Sequence, residues 1–185
     1  MNKHVPNLAN NNLEDTYILH IPHSGNLLCY DEKVNKITLE ECRIEHEKLS
    51  DIGTSIVFNT EYTSMVFPYS RLYCDVERLS DENEEMYKFG RGFYYTKTDS
   101  GKTLRTEEHK EKFKEIYDNW HKLLTDNTVD KLDKFGIATI IDCHSFSNEP
   151  FESDLDKSVD RPDICLGIDE YHTPKYLVDF LKQRF

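Results

Sequence analysis

The sequence has no uninterrupted apolar stretch approaching the roughly 20 residues that a membrane-spanning helix needs. No signal-peptide pattern precedes Asn12, so no membrane association is expected. Positive charge is scarce: 23 Lys and Arg stand against 35 Asp and Glu, a formal net charge of −12. Phosphate-bearing surfaces call for clustered basic side chains, so neither nucleic acid nor a membrane surface is an expected partner. The cysteines Cys29, Cys42, Cys74, Cys143 and Cys165 are odd in number and include no CxxC pair. That argues against a disulfide scaffold or a zinc finger, and for reduced thiols in the cytoplasm. Cys143 reads as a small buried hydrophobe. There is no internal repeat and no low-complexity tract. The 185 residues suit one domain.

One run dominates what is present. Gly136-Ile137-Ala138-Thr139-Ile140-Ile141 is opened by glycine and rich in isoleucine, as expected of a strand buried on both faces. It ends in Asp142-Cys143-His144-Ser145. In open α/β sheets, functional residues collect where strands end in loops. A second strand has the same layout: Tyr17-Ile18-Leu19-His20-Ile21 is broken by Pro22 and opens into His23-Ser24-Gly25. Two strands more than a hundred residues apart thus end in His-Ser. Neutral imidazoles at a sheet edge suit a divalent cation, zinc being the commonest. His20, inside its strand, is expected to pack or to support the site through a hydrogen bond.

The remaining chain reads as alternating helices and strands, the pattern of an α/β sandwich. Residues 1–15 are Asn-rich and read as a loose arm, with one domain over 16–185. Thr38-Leu39-Glu40-Glu41 is a capping box that should start a helix, with Leu39, Cys42, Leu49, Ile52 and Ile56 on its buried face. Asp51, near its end, reads by itself as a solvated helix carboxylate. Ser64 to Pro68 should be a strand. Between Tyr69 and Arg78, two arginines seven apart enclose two carboxylates. Arginine suits forked binding of a carboxylate ligand, but the same set could be an internal ion-pair network. Phe89 to Arg105 reads as a hairpin or structured loop. Thr106 should cap a helix carrying Phe113, Ile116, Tyr117, Trp120, Leu123 and Leu124 as a core stripe, and a shorter helix should end at Phe135-Gly136. Asn148 to Arg161 is a polar loop. Asp163 to Gly167 reads as another buried strand, and His172-Thr173-Pro174 as the start of a last helix, with Thr173 its N-cap.

These blocks carry a resemblance. His20-Ile21-Pro22-His23-Ser24-Gly25, Ser70-Arg71 with Asp75-Val76-Glu77-Arg78, Gly92-Phe93-Tyr94-Tyr95-Thr96, Ile141-Asp142-Cys143-His144-Ser145 and Asp163-Ile164-Cys165-Leu166-Gly167 resemble, in order, the N-formylglutamate amidohydrolase family. That family is similar to the zinc carboxypeptidases. The resemblance implies a three-layer α/β/α sandwich with a mainly parallel mixed sheet, phosphorylase/hydrolase-like. It implies one zinc ion held by His23, Asp51 and His144, an arrangement that leaves a coordination position open for catalysis. The implied reaction is hydrolysis of a small N-acyl acidic amino acid such as N-formyl-L-glutamate. Arg71 and Arg78 are implied to hold the substrate carboxylate or the developing oxyanion, with Ser24 and Ser145 lining the substrate. Glu77 stands where many members have asparagine, and members continue past the position of Phe185. Related zinc hydrolases use a glutamate near their C-terminus as general base; within this chain Glu149 is the nearest candidate by sequence. The alternative is a non-catalytic descendant that binds a carboxylate ligand or a partner.

Overall fold

The computed structural model describes residues 13–185. The arm expected over 1–15 lies outside the described residues as far as residue 12, and Leu13–Thr16 form a 3-10 turn. A first compact unit runs to Phe146 and a second spans Ser147–Phe185.

The first unit is built on β1 (Tyr17–Ile21), a five-residue strand whose last four residues are all buried. After the turn at Pro22, α1 (Leu39–Leu49) and the short α2 (Thr54–Val57) carry the chain to β2 (Thr63–Val66). The long α3 (Lys110–Phe135) then leads to β3 (Thr139–Asp142). Parallel neighbours need such crossovers. The three strands make one parallel sheet in the order β2-β1-β3. His20 pairs in register with Met65 on one side and with Asp142 on the other. The two histidine-bearing strands are therefore direct neighbours, and their loops open at the same edge.

Side chains alternate across β1 and meet two different clusters. Ile18 joins Met65, Phe67, Cys74, Val76, Phe93 and the stripe of α3, of which Phe113, Tyr117 and Trp120 are buried. Ile116 and Leu124 pack at its margin, while Leu123 is exposed. Leu19 and Ile21 face the other way and pack with Cys143, Phe58 and Tyr62. Burial pushes the Cys143 thiol up to about 11, in keeping with a packing role.

Several expectations change. The reciprocal cap at Thr38 and Glu41 is present, but α1 stops at Leu49. Ile52 and Ile56 are therefore exposed, and Glu45 and His46 take up the buried face. One 26-residue helix replaces the expected pair; it is ended by Gly136, whose φ of 73° lies in the left-handed region that glycine adopts without strain. Thr106 precedes a 3-10 turn, Glu107–His109, and makes no side-chain cap. The Phe89–Arg105 segment is a structured loop with isolated antiparallel bridges, such as Lys97 with Thr103. β3 is not buried on both faces: among the described residues it pairs with β1 alone, and Ile140 and Ile141 are 42% and 41% exposed.

In the second unit, Asp163 to Gly167 forms no strand, and Ile164 is exposed because no described strand pairs with the segment. Arg161 organises the preceding loop, donating to Asp154 (3.0 Å) and to the Ser147 carbonyl (3.3 Å). α4 (Lys175–Lys182) begins after Pro174, which is itself the N-cap; Thr173 instead accepts from the Asp169 N–H.

Gly25 closes the turn that presents His23. A Cβ there would lie 2.3 Å from the Phe67 carbonyl oxygen and 2.5 Å from the Pro68 carbonyl carbon, both backbone atoms. The strand end must shift to admit one. Gly25→Ala should destabilise the protein by about 1–3 kcal/mol, the usual scale of overpacking. Denaturant titration reads this directly, and an unchanged midpoint would mean that the close approach is not tight.

Candidate metal centre

The cluster forms where the β1 and β3 loops leave the sheet. His23 follows Pro22 at the end of β1 and is 1% exposed. His144 follows β3 by two residues, and the Cys143 N–H bonds to the His20 carbonyl (2.9 Å), so pairing continues to its doorstep. The two rings lie 5.1 Å apart between centroids. Asp51 follows the C-cap of α1, and its N–H donates to the His23 carbonyl (3.0 Å). Metal-competent atoms of His23, Asp51 and His144 all lie within 4.8 Å of one another. Glu77, Asp142 and His144 form a second such grouping that shares His144.

Each imidazole has a carboxylate on its Nε2. His23 Nε2 lies 2.8 Å from Asp75 Oδ1, and His144 Nε2 lies 2.7 Å from Glu77 Oε1. The Nδ1 atoms look toward Asp51: His144 Nδ1 is 2.9 Å from its Oδ2, and His23 Nδ1 is 3.8 Å from the same oxygen. His23 Nδ1 is buried and has no hydrogen-bond partner among the described residues. With Nε2–H donated to Asp75, Nδ1 carries a lone pair, and its nearest charged neighbour is a carboxylate. A buried lone pair beside a carboxylate is unfavourable unless a cation or a proton lies between them.

The charges agree. Burial alone would raise the Asp51 carboxyl, but the hydrogen bond from His144, with the His23 ring and Arg71 nearby, holds it well below the usual carboxylate range. Burial would likewise lower the His144 pKa; its bonds to Asp51 and Glu77 override this and push it up to about 10. The Glu77 carboxyl is lowered by His144 and His23 despite its burial. Two anions thus bracket one ring, an environment that favours positive charge.

Asp75 is fully buried and is the hub of the support. Its Oδ2 accepts from Arg71 Nη2 (2.8 Å), Arg71 Nε (3.0 Å) and the Tyr95 hydroxyl (2.8 Å). Its Oδ1 accepts from the Glu77 N–H (3.2 Å) as well as from His23. Burial would raise the Asp75 carboxyl, but Arg71, the hydrogen bond from His23 and the nearby Arg78 hold it far below its ordinary value. Arg71 also donates through Nη1 to the Leu49 carbonyl (3.1 Å), so each of its nitrogens has a protein partner. Arg78 differs. Its Nη1 reaches Glu84 at 3.3 Å, its buried Nε lies 3.8 Å from Asp75 Oδ2 with no hydrogen-bond partner among the described residues, and its side chain is 30% exposed.

The other expected residues are placed as follows. Ser24 donates its hydroxyl to Ser55 (2.9 Å), tying the β1 loop to α2. Ser145 is exposed beside His144. Glu149 belongs to the second unit, where its N–H bonds to Ser147. His20 supports, as expected: its Nδ1–H donates to Asp142 (2.5 Å) and its Nε2 accepts from Trp120 (2.9 Å). The roles of Asp75 and Glu77 toward the rings were not foreseen. Their only sequence signal is that they stand two apart just after Ser70-Arg71.

No curated protein matches the sequence. The crystal structure of N-formylglutamate amidohydrolase from Ralstonia eutropha JMP134 has a similar fold, with a TM-score of 0.59 and 15% sequence identity. The match covers 71% of this chain and 54% of that one, so the chain spans about half the length of the protein it resembles. The model of the N-formylglutamate amidohydrolase family matches residues 16–185. By that match over most of its length, the chain belongs to the N-formylglutamate amidohydrolase family.

Proposed function

We propose that the chain is a zinc-dependent amidohydrolase domain acting on a small N-acyl acidic amino acid, N-formyl-L-glutamate being the first candidate. The observation that carries this is the buried, unpartnered His23 Nδ1 facing Asp51 beside His144 Nδ1. Two imidazole nitrogens and a carboxylate oxygen are the donor set of an open zinc site, so the residues present fit the ion. Zinc bound there supplies Lewis acidity, polarising an amide carbonyl and acidifying water.

The chain's own groups do the rest. Asp75 and Glu77 hold the rings by their Nε2 atoms, so that both Nδ1 atoms face Asp51, where a cation would take the place of the proton that His144 Nδ1 donates. Arg71 neutralises Asp75 inside the protein. Arg78, partly exposed and more loosely paired than Arg71 (Nε 3.8 Å from Asp75, Nη1 3.3 Å from Glu84), is the better candidate to hold a substrate carboxylate. Ser145 is free to line the substrate, while Ser24 orders the loop behind His23. Glu149 stands as the candidate general base within this sequence. The three-layer phosphorylase/hydrolase-like sandwich and a cytoplasmic location belong to the same proposal. The described residues include no helix long and apolar enough to cross a membrane.

One observation favours a binding role instead. Asp51, Asp75, Glu77 and Asp142 are each engaged by a histidine, so none of these carboxylates is left free to act as base. Turnover separates the two. Zinc-loaded chain should release formate from N-formyl-L-glutamate, and a chelator should stop it. Saturable binding of the substrate without formate release would establish the binding role.

A further inference from the structure

We infer that Glu77 is a positioning residue that selects which nitrogen of His144 is presented to the cation, an inference that rests on the zinc site proposed above. A histidine can ligate through either ring nitrogen, and its choice follows from the hydrogen bond made by the other. At His23 the choice is made by Asp75, which is fully buried and pinned by Arg71 and Tyr95. His144 sits in a looser setting, with a side chain 30% exposed and a carboxylate against each nitrogen. His144 donates from Nε2 to Glu77 and from Nδ1 to Asp51; a cation taking the place of the Nδ1 proton would meet the Nδ1 lone pair, completing the set with His23 Nδ1 while Nε2–H stays on Glu77. Without Glu77, Asp51 is the only one of these two anions left to draw the proton. The N–H would then settle on Nδ1, and the lone pair would move to Nε2, on the wrong side of the ring.

The backbone explains why Glu77 can do this from a surface position. Asp75 and Glu77 lie two residues apart, and the Glu77 N–H donates to the same Asp75 oxygen that takes His23 Nε2 (3.2 Å and 2.8 Å). The Asp75 N–H is in turn fixed to the Phe93 carbonyl (2.8 Å). One short loop therefore sets both rings, each through its Nε2. Glu77 Oε2 also comes within 3.6 Å of His23 Nε2. Its carboxylate is thereby committed to the imidazoles and is not a surface charge free to meet the substrate.

The test uses the whole chain with Glu77→Ala and Glu77→Gln. Competition against a chromophoric zinc chelator should show affinity lower by about 10–100-fold in Glu77→Ala, the usual effect of removing a partner of a metal-ligating histidine. Glu77→Gln keeps an acceptor for Nε2–H and should fall between the two. The decisive readout is the long-range 1H–15N spectrum of the histidine rings with zinc bound. Wild type and Glu77→Gln should show His144 protonated at Nε2 and ligated at Nδ1, and Glu77→Ala should show a mixture or the reverse. A Glu77→Ala protein with wild-type affinity, or with weakened affinity but an unchanged His144 ring state, would overturn the role assigned to Glu77. Failure of the wild type to bind zinc would overturn the zinc site itself, and this inference with it. Glu77 has no place in the core, so both variants should keep the native circular-dichroism spectrum.

Discussion

Replacing either His23 or His144 with alanine should abolish zinc binding at micromolar concentrations while leaving the fold in place. Each substitution removes one of three donors. Loss of a mere supporting partner already costs about 10–100-fold, so loss of a ligand should exceed that. The two variants should nevertheless differ in stability. His144 is partly exposed, and its loss leaves Glu77 able to meet water but takes a hydrogen-bond donor from the buried Asp51. His144→Ala should therefore cost about 1 kcal/mol at neutral pH in the absence of metal. His23 is buried and donates to Asp75, so His23→Ala opens a space and removes one partner from a buried carboxylate. A cost of about 1–3 kcal/mol follows. Elemental analysis after dialysis against trace zinc gives the stoichiometry. Unchanged zinc content in both variants would show that the ion is held elsewhere.

The two arginines should separate cleanly, and the direction of that separation is the second large effect. Arg71→Met removes the main cationic partner of the fully buried Asp75 and leaves the Leu49 carbonyl without its donor. Breaking a buried pair on one side typically costs 3–5 kcal/mol, so a loss of about that size is expected in chemical denaturation. Arg78→Lys should do little to stability, since lysine keeps a positive charge beside Asp75 and Glu84, whose pairs with Arg78 are both long (3.8 and 3.3 Å). Its effect belongs to ligand binding. A lysine keeps the charge but not the fork, and losing a charge-assisted hydrogen bond costs about 1.5–3 kcal/mol, up to roughly a hundredfold in affinity. Replacing the ligand's carboxylate with a neutral amide should weaken wild-type binding by a similar factor and weaken Arg78→Lys much less, because both changes delete one interaction. Additive losses would mean that Arg78 does not read the carboxylate. A stable Arg71→Met protein with impaired ligand binding would reverse the assignment of the two residues.

What was legible in the sequence was mostly local or periodic. The apolar runs before His23 and His144 mark two strands, and they do lie side by side with His20 level with Asp142. The cap at Thr38 and the α3 stripe depend on spacings of three and four, which a sequence displays directly. Asp51 could be placed only by resemblance, because a lone aspartate after a helix has no signature of its own. The carboxylates that hold the rings were hidden for a different reason. Asp75 meets His23 across 52 positions and Glu77 meets His144 across 67, and no periodicity records such pairings. Arg71 shows the limit of reading residue types. The same forked side chain that suits a ligand carboxylate suits a buried aspartate, and only burial distinguishes them. Isoleucine content misled at Ile140, Ile141 and Ile164, since an apolar run states what a strand could bury and not how many neighbours it has.

The central claim is that His23, Asp51 and His144 together hold a divalent cation. Its most direct test is an anomalous difference map at the zinc absorption edge, from crystals of the zinc-loaded chain. A peak about 2.0–2.1 Å from His23 Nδ1 and from His144 Nδ1, with an Asp51 oxygen at about 2.0–2.2 Å, is the expected result. A peak at any other set of side chains, or zinc-loaded crystals with no peak between the two rings, would contradict it.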